Sequence, residues 1–283
     1  MRISSIWLLA VLLALPSALA DPPGPSQRHH PWGRCAPGAW KIVSVVTKSI
    51  DERGEVSLQN TTESKTTLTD IDDEGVTLEV RAMVETGGRR FNPEAQVIRQ
   101  GFHGELLGRD VKLKDLGTAA VTIENNKVPC RISRIECTSA SSKTVTTVYY
   151  SDKFAPYILK RRSITTDLDG SDVLAQTDVE VLAANMPCEI LGDVKCAAQV
   201  KTVHSHPNGT ITTLAFVSPD VPGGIVGHTS KELDKSGRLV RQSVLKLVAF
   251  SFEPDDRGLF GRKRASRHRR STSNNPAPGH QPP

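Results

Sequence analysis

"VTLEVRAMV", residues 76–84, alternates without a break: Val76, Leu78, Val80, Ala82 and Val84 fall on one side, and Thr77, Glu79, Arg81 and Met83 on the other. Successive side chains of an extended chain point to opposite faces, so a period of two predicts a strand with one buried face. The same grammar recurs downstream. "KTVTTVYY" (143–150), "YILKRRSI" (157–164), "GTITTLAFV" (209–217) and "RLVRQSVLKLVAF" (238–250) are rich in β-branched and aromatic residues. The turn signals "DDEG", "ENNK", "LDGSD", "HPNG" and "DKSG" punctuate the chain. This spacing predicts about ten to twelve strands and an all-β fold. The sheet is antiparallel, a curved sheet or open half-barrel with at most short helices. Two segments interrupt the pattern, "FNPEAQVIRQGFHGELLG" (91–108) and "GRDVKLKDLG" (108–117), and each reads as a short helix or a long loop.

The chain also repeats itself. "VTIENNKVPCRI" (121–132) returns 58 residues later as "VEVLAANMPCEI" (179–190), aligning Val121, Ile123, Val128, Pro129, Cys130 and Ile132 with Val179, Val181, Met186, Pro187, Cys188 and Ile190. Further on, with an offset of 67, "SDKFAPYILKRRSITTDLDG" aligns with "SPDVPGGIVGHTSKELDKSG". The implied unit is a four-stranded meander, with copies over about 121–184 and 179–250. A second Cys follows each seam, giving Cys130 and Cys137, then Cys188 and Cys196. These spacings suit neither a zinc knuckle nor a redox pair, so the four thiols are expected to form disulfides. "CEILGDVKC" could close as a three-residue hairpin loop with Cys188 opposite Cys196. "CRISRIEC" as one strand would hold its ends about 23 Å apart, which leaves pairing between the copies as the rival. Cys35 is left over.

Residues 1–20, "MRISSIWLLAVLLALPSALA", combine a basic start, an apolar run from Ile6 to Leu15 and small residues at Ala18 and Ala20. This predicts a secretory signal cleaved before Asp21, and a periplasmic or secreted protein with no transmembrane segment. Residues 21–39 are rich in Pro and Gly and read as a linker or extended arm. The β-rich body is expected over 40–252. The tail, 253–283, is basic and reads as disordered. Residues 257–283 hold seven Lys or Arg and no acid, which leaves residues 21–256 at a net charge of about −3. In an exported protein Arg262, Lys263, Arg264, Arg267, Arg269 and Arg270 would touch an anionic envelope polymer or surface, not nucleic acid.

Catalytic signatures are absent from the sequence: no G-x-S-x-G elbow, no H-E-x-x-H and no phosphate loop opening a helix. His204 and His206 would share a face of a strand, but Pro207, Asn208 and Gly209 follow at once, so this is a polar hairpin tip. No metal, cofactor or catalytic residue is expected.

Residues 143–250, through "SPDVPGGIVGHTSKELDKSG" and its degenerate counterpart at "SDKFAPYILKRRS", resemble the closing strands of exported bacterial proteins of the lipoprotein-carrier (LolA/LolB-like) type. The resemblance implies an open, curved antiparallel sheet whose apolar concave face shelters acyl chains. The chain lacks that family's lid-helix signal and adds the cysteines.

The functional expectation is a non-enzymatic envelope protein that binds a lipid-like or apolar ligand on the concave face. The alternative is a structural protein that contacts anionic polymer through its tail. An apolar sheet face must be covered. The segment 91–116 could supply the cover, with Phe91 and Phe102 as plugs over Val76, Leu78, Val80, Ala82 and Val84. A ligand or a second chain are the other possibilities.

Overall fold

The computed structural model describes residues 24–105 and 110–254, and the fold is all-β. The first strands are β1 (Trp40–Ile50), β2 (Val56–Ile71), β3 (Gly75–Thr86), β4 (Arg89–Phe91), β5 (Gln96–Gly101), β6 (Asp110–Ile123) and β7 (Asn126–Thr138). There follow β8 (Lys143–Tyr150), β9 (Ile158–Thr166), β10 (Val173–Ile190), β11 (Asp193–His206), β12 (Gly209–Val217), β13 (Ile225–Asp234) and β14 (Leu239–Ser251). All pairings are antiparallel, in the order β4-β3-β2-β1-β14-β13-β12-β11-β10-β9-β8-β7-β6, with β5 also paired to β3. The sheet curves but does not close into a barrel. At one end it curls far enough for Glu124, after β6, to accept the Ala184 N–H of β10 at 3.0 Å.

The predicted alternation holds. On β3, Val76 and Leu78 are buried while Arg81 is exposed, and along β14 Gln242, Val244, Lys246 and Val248 are exposed while the residues between them are half-buried. The two segments expected as helix or loop instead supply β5 and most of β6. "QVIRQG" and "DVKLKD" carry the two-residue period in runs too short to stand out, and β6 lies at the sheet edge, where lysines are ordinary.

The seam at 121–132 is a hairpin, turning at Glu124 (φ +48°) and Asn125 (φ +67°). Its counterpart at 179–190 is not. It lies wholly within β10, whose pairing with β11 slips between Val181 and Met186, around Asn185 at φ +53°. Both residues at the centre of a two-residue hairpin turn need left-handed backbone, which Asn tolerates and Ala resists. "ENNK" can therefore turn, whereas "LAAN" only bulges. The chain reverses later, at Leu191 (φ +53°) and Gly192 (φ +95°), as a two-residue loop.

That position overturns the disulfide expectation, and none of the five cysteines is joined in a disulfide. Cys188 stands opposite Lys195, and Cys196 opposite Pro187. The one-residue offset turns the two sulfurs to opposite faces of the hairpin. Cys130 and Cys137 lie on the single strand β7, too far apart to bridge. Pairing between the copies fails as well: Cys130 is buried in a cluster with Val181 and Leu159 that does not include Cys188, and Cys137 packs with Ile135, Val148 and Tyr150, apart from exposed Cys196. A thiol titration should therefore find five reactive groups in the denatured, unreduced protein, with exposed Cys196 reacting first in the native state. Three or fewer would restore the disulfides.

Two loops 67 residues apart carry the same backbone bonds. Ser151 N–H reaches Tyr157 O at 2.8 Å, Tyr157 N–H reaches Phe154 O at 2.8 Å, and Ile158 N–H reaches Pro156 O at 2.7 Å. The corresponding bonds are Ser218 to Gly224 at 2.8 Å, Gly224 to Val221 at 2.8 Å, and Ile225 to Gly223 at 2.9 Å.

Residues 24–38 are not a free linker. They cross the inner face with one turn of 3-10 helix, Gln27–His29, and bury His29, His30 and Trp32. Trp32 packs on Leu68, Val76 and Leu78, with Phe102 and Ile71 beside them. Gly223, at φ +68°, permits this approach, because a Cβ there would stand 2.6 Å from the Trp32 ring.

Candidate functional site

Residues directly opposite each other in antiparallel strands share a face, so the registers trace which side chains lie side by side across the sheet. One such row begins with Val84 on β3, Thr62 on β2, Val45 on β1 and Leu245 on β14. It continues with His228 on β13, Ala215 on β12, Val200 on β11 and Val181 on β10. The row lies on the inner face, the face that carries Leu68 and Leu78 beneath Trp32. Its members from Val84 to Val200 are half-buried, and Val181 closes the end inside a core cluster with Leu159 and Cys130. Burial holds the His228 imidazole below its ordinary pKa, so the row carries no charge at neutral pH. A parallel row of Thr202, Thr213, Ser230, Ser243, Thr47 and Asn60 flanks it on the same face. Ser230 and Ser243 hydroxyls bond each other at 2.7 Å.

The flanking row continues across β10, β9 and β8 as Val179, Arg161 and Val148. These three line a cavity of about 330 Å³ beneath the arm, together with Ile135, Ile158, Trp32, Phe102 and three histidines. His29 Nδ1 accepts the Ser26 N–H at 2.9 Å, so Nε2 bears the proton and donates to Asp152 at 2.7 Å. Burial nevertheless lowers its pKa. His30 is also held down by burial, while its Nδ1 accepts the Trp32 N–H at 3.3 Å. Burial lowers His103 as well, against the pull of Glu105.

Ser26, His29 and Asp152 stand in the order of a hydrolytic triad, the Ser26 hydroxyl lying 3.1 Å from His29 Nδ1. That lone pair is already taken by the Ser26 backbone N–H. The contact caps a helical turn and fastens the arm to the loop after β8.

The expected site residues separate into two groups. Val76 and Leu78 are covered by Trp32, and Phe102 packs against the same cluster. Val80, Ala82 and Val84 sit on the open part of the inner face, opposite Thr66, Ser64 and Thr62. Phe91 pairs with Val84 at the edge but is 51% exposed, so it rims the face and plugs nothing. The main cover is the arm, which Trp32, isolated among Pro and Gly, could have signalled. Arg161, within the strand expected over 157–164, lines the cavity. His204 and His206 rings lie 5.6 Å apart, with His204 Nδ1 on Thr177 Oγ1 at 2.8 Å. Among the described residues no three His, Cys, Asp or Glu side chains converge to hold a metal, and no helix is long and apolar enough to cross a membrane. The signal segment 1–20 and the tail cations Arg262, Lys263, Arg264, Arg267, Arg269 and Arg270 lie outside the described residues.

These features define a curved antiparallel sheet whose inner face is part filled by the chain itself and part open. No family model and no curated protein matches the sequence. Among solved structures the chain is similar to a "putative exported protein with YmcC-like fold" from Bacteroides fragilis NCTC 9343, at 11% identity and a TM-score of 0.30, over 76% of this chain and 97% of that one. It is also similar to a "putative lipoprotein" from Parabacteroides distasonis ATCC 8503, at 13% identity and a TM-score of 0.28, over the same shares of the two chains.

Proposed function

We propose that this chain is an exported, non-enzymatic protein of the cell envelope that binds a lipid-like ligand along the open inner face of its sheet. The row from Val84 to Val181 carries this reading, because it sets mainly apolar side chains across eight consecutive strands and leaves most of them only half-covered. At the spacing of paired strands it extends about 34 Å along the curve, room for a long chain and more than the protein's own plug occupies. Export is supported by the signal pattern in residues 1–20.

The test is displacement of a hydrophobic dye from the native protein by palmitate. Leu245→Asp and Val80→Asp should each abolish dye and palmitate binding while leaving the circular dichroism of the sheet intact, since a carboxylate buried under an acyl chain loses its hydration. Palmitate binding that survives Leu245→Asp would place the ligand elsewhere. A protein that binds neither probe would overturn the proposal.

A further inference from the structure

The cavity holds polar groups that the protein itself leaves unanswered. Arg161 donates from Nε to Ser163 Oγ at 3.3 Å, and among the described residues its Nη groups have no hydrogen-bond acceptor. It lines the cavity beneath the arm, where Gly104 brings the 101–105 loop close: a Cβ there would stand 2.9 Å from Nη1. On that same loop, His103 Nδ1 and Glu105 Oε2 are buried without a partner among the described residues. Buried polar atoms in native proteins are nearly always satisfied, so the orphaned His103 Nδ1 in the cavity lining, with Glu105 Oε2 orphaned two residues further on, points to something that completes the site. His29, His30 and Gln100 also line it beside apolar walls, and Val179 on the cavity wall is two residues from Val181, the end of the apolar row, on the same face of β10.

We infer that the ligand of the inner face is a single-chain amphiphile with a carboxylate head, its head bound by the two Nη groups of Arg161 in this cavity and its chain laid along the apolar row. This deepens the lipid-like reading and rests on it. A guanidinium presents its N–H groups as a planar fork that matches a carboxylate in two parallel bonds. The imidazole of His103 stands by as a second donor once protonated. Glu105 is the opposing group: its carboxylate lies near enough to interact with the Arg161 charge and would repel an anionic head bound there. Arg161 and Glu105 substitutions should therefore act in opposite directions.

The experiment compares palmitate with hexadecanol, which shares the chain and lacks the charge, by calorimetric titration of the full chain. Palmitate should bind at least about tenfold tighter. Arg161→Gln should remove that preference and leave hexadecanol unchanged. Glu105→Gln should tighten palmitate alone. Acetate, the head without the chain, should not compete at millimolar concentration. The acid-over-alcohol ratio is measured on the wild-type protein, so a variant that fails to fold leaves that arm intact. Equal binding of acid and alcohol would overturn the head assignment while the lipid-like reading stands. Acetate competing as well as palmitate would reduce the site to a small-anion pocket. Binding of neither would remove both readings.

Discussion

Trp32→Ala should lower the free energy of unfolding by about 3–5 kcal/mol, the range for removing a buried aromatic ring from a packed core. Trp32 is 6% exposed and touches Leu68 and Val76, both wholly buried, and Leu78. The Lys41 ammonium stands 5.4 Å from the Trp32 ring centroid and donates to Gly223 O at 3.3 Å, and burial brings its pKa down to about 8. The substitution would leave this cation over a void. Loss of the ring should also expose Leu68 at the end of β2 and Val76 at the start of β3 to water. Urea unfolding followed by circular dichroism measures the effect. A loss below about 1 kcal/mol would mean that the arm is not part of the core.

Acidification should weaken the protein in two stages. Burial holds His29, His30, His103 and His228 below the ordinary imidazole pKa of 6.5. Below about pH 6.5 the unfolded chain therefore binds more protons than the folded one. Stability rises with pH through that window and levels off above it. Each histidine contributes at most about 1.4 kcal/mol per pH unit, and less where water reaches it. Around these rings, Asp152 and Arg28 face His29, Gln100 faces His30, and Glu105 and Arg161 face His103. Asp152 opposes the loss at His29, as Gln100 does at His30 and Glu105 at His103. The second stage comes below about pH 4, as turn carboxylates protonate. Asp234 is the most depressed, held at about 2 by the Ser236 hydroxyl and the Arg238 N–H. The urea midpoint should thus be nearly flat around pH 7, below the range in which Lys41 titrates, and fall from about pH 6.5 to 5, with a smaller fall in His30→Asn. A midpoint that stays level down to pH 5 would mean that the imidazoles are hydrated and the arm undocked.

The strands were legible because a sheet with one covered face writes its period into the chain, as "VTLEVRAMV" and "RLVRQSVLKLVAF" do. The arm was not, because "DPPGPSQRHHPWGRC" has no period. Its burial is decided by what it lands on, and only Trp32, costly to leave in water, marks it. Cysteine pairing depends on register. The move of the reversal from "LAAN" to Leu191 and Gly192 changes which face each sulfur takes, and spacing along the chain does not encode that. Val80, Ala82 and Val84 could be placed on the inner face from alternation alone. Their neighbours Val45, Leu245 and Ala215 come from distant strands, joined only by the pairing of β1 with β14. Arg161 in "LKRRS" resembles any surface cation until β9 is set beside β10.

The claim that the inner face holds an acyl chain is tested most directly by locating one. Crystals grown with a fatty acid brominated along its chain should show bromine over Val45, Leu245 and Ala215, with the carboxylate end toward Arg161. Bromine on the outer face instead, against the exposed Leu214, Phe216, Val244 and Val248, would contradict the account, as would a fully occupied protein lattice with none bound.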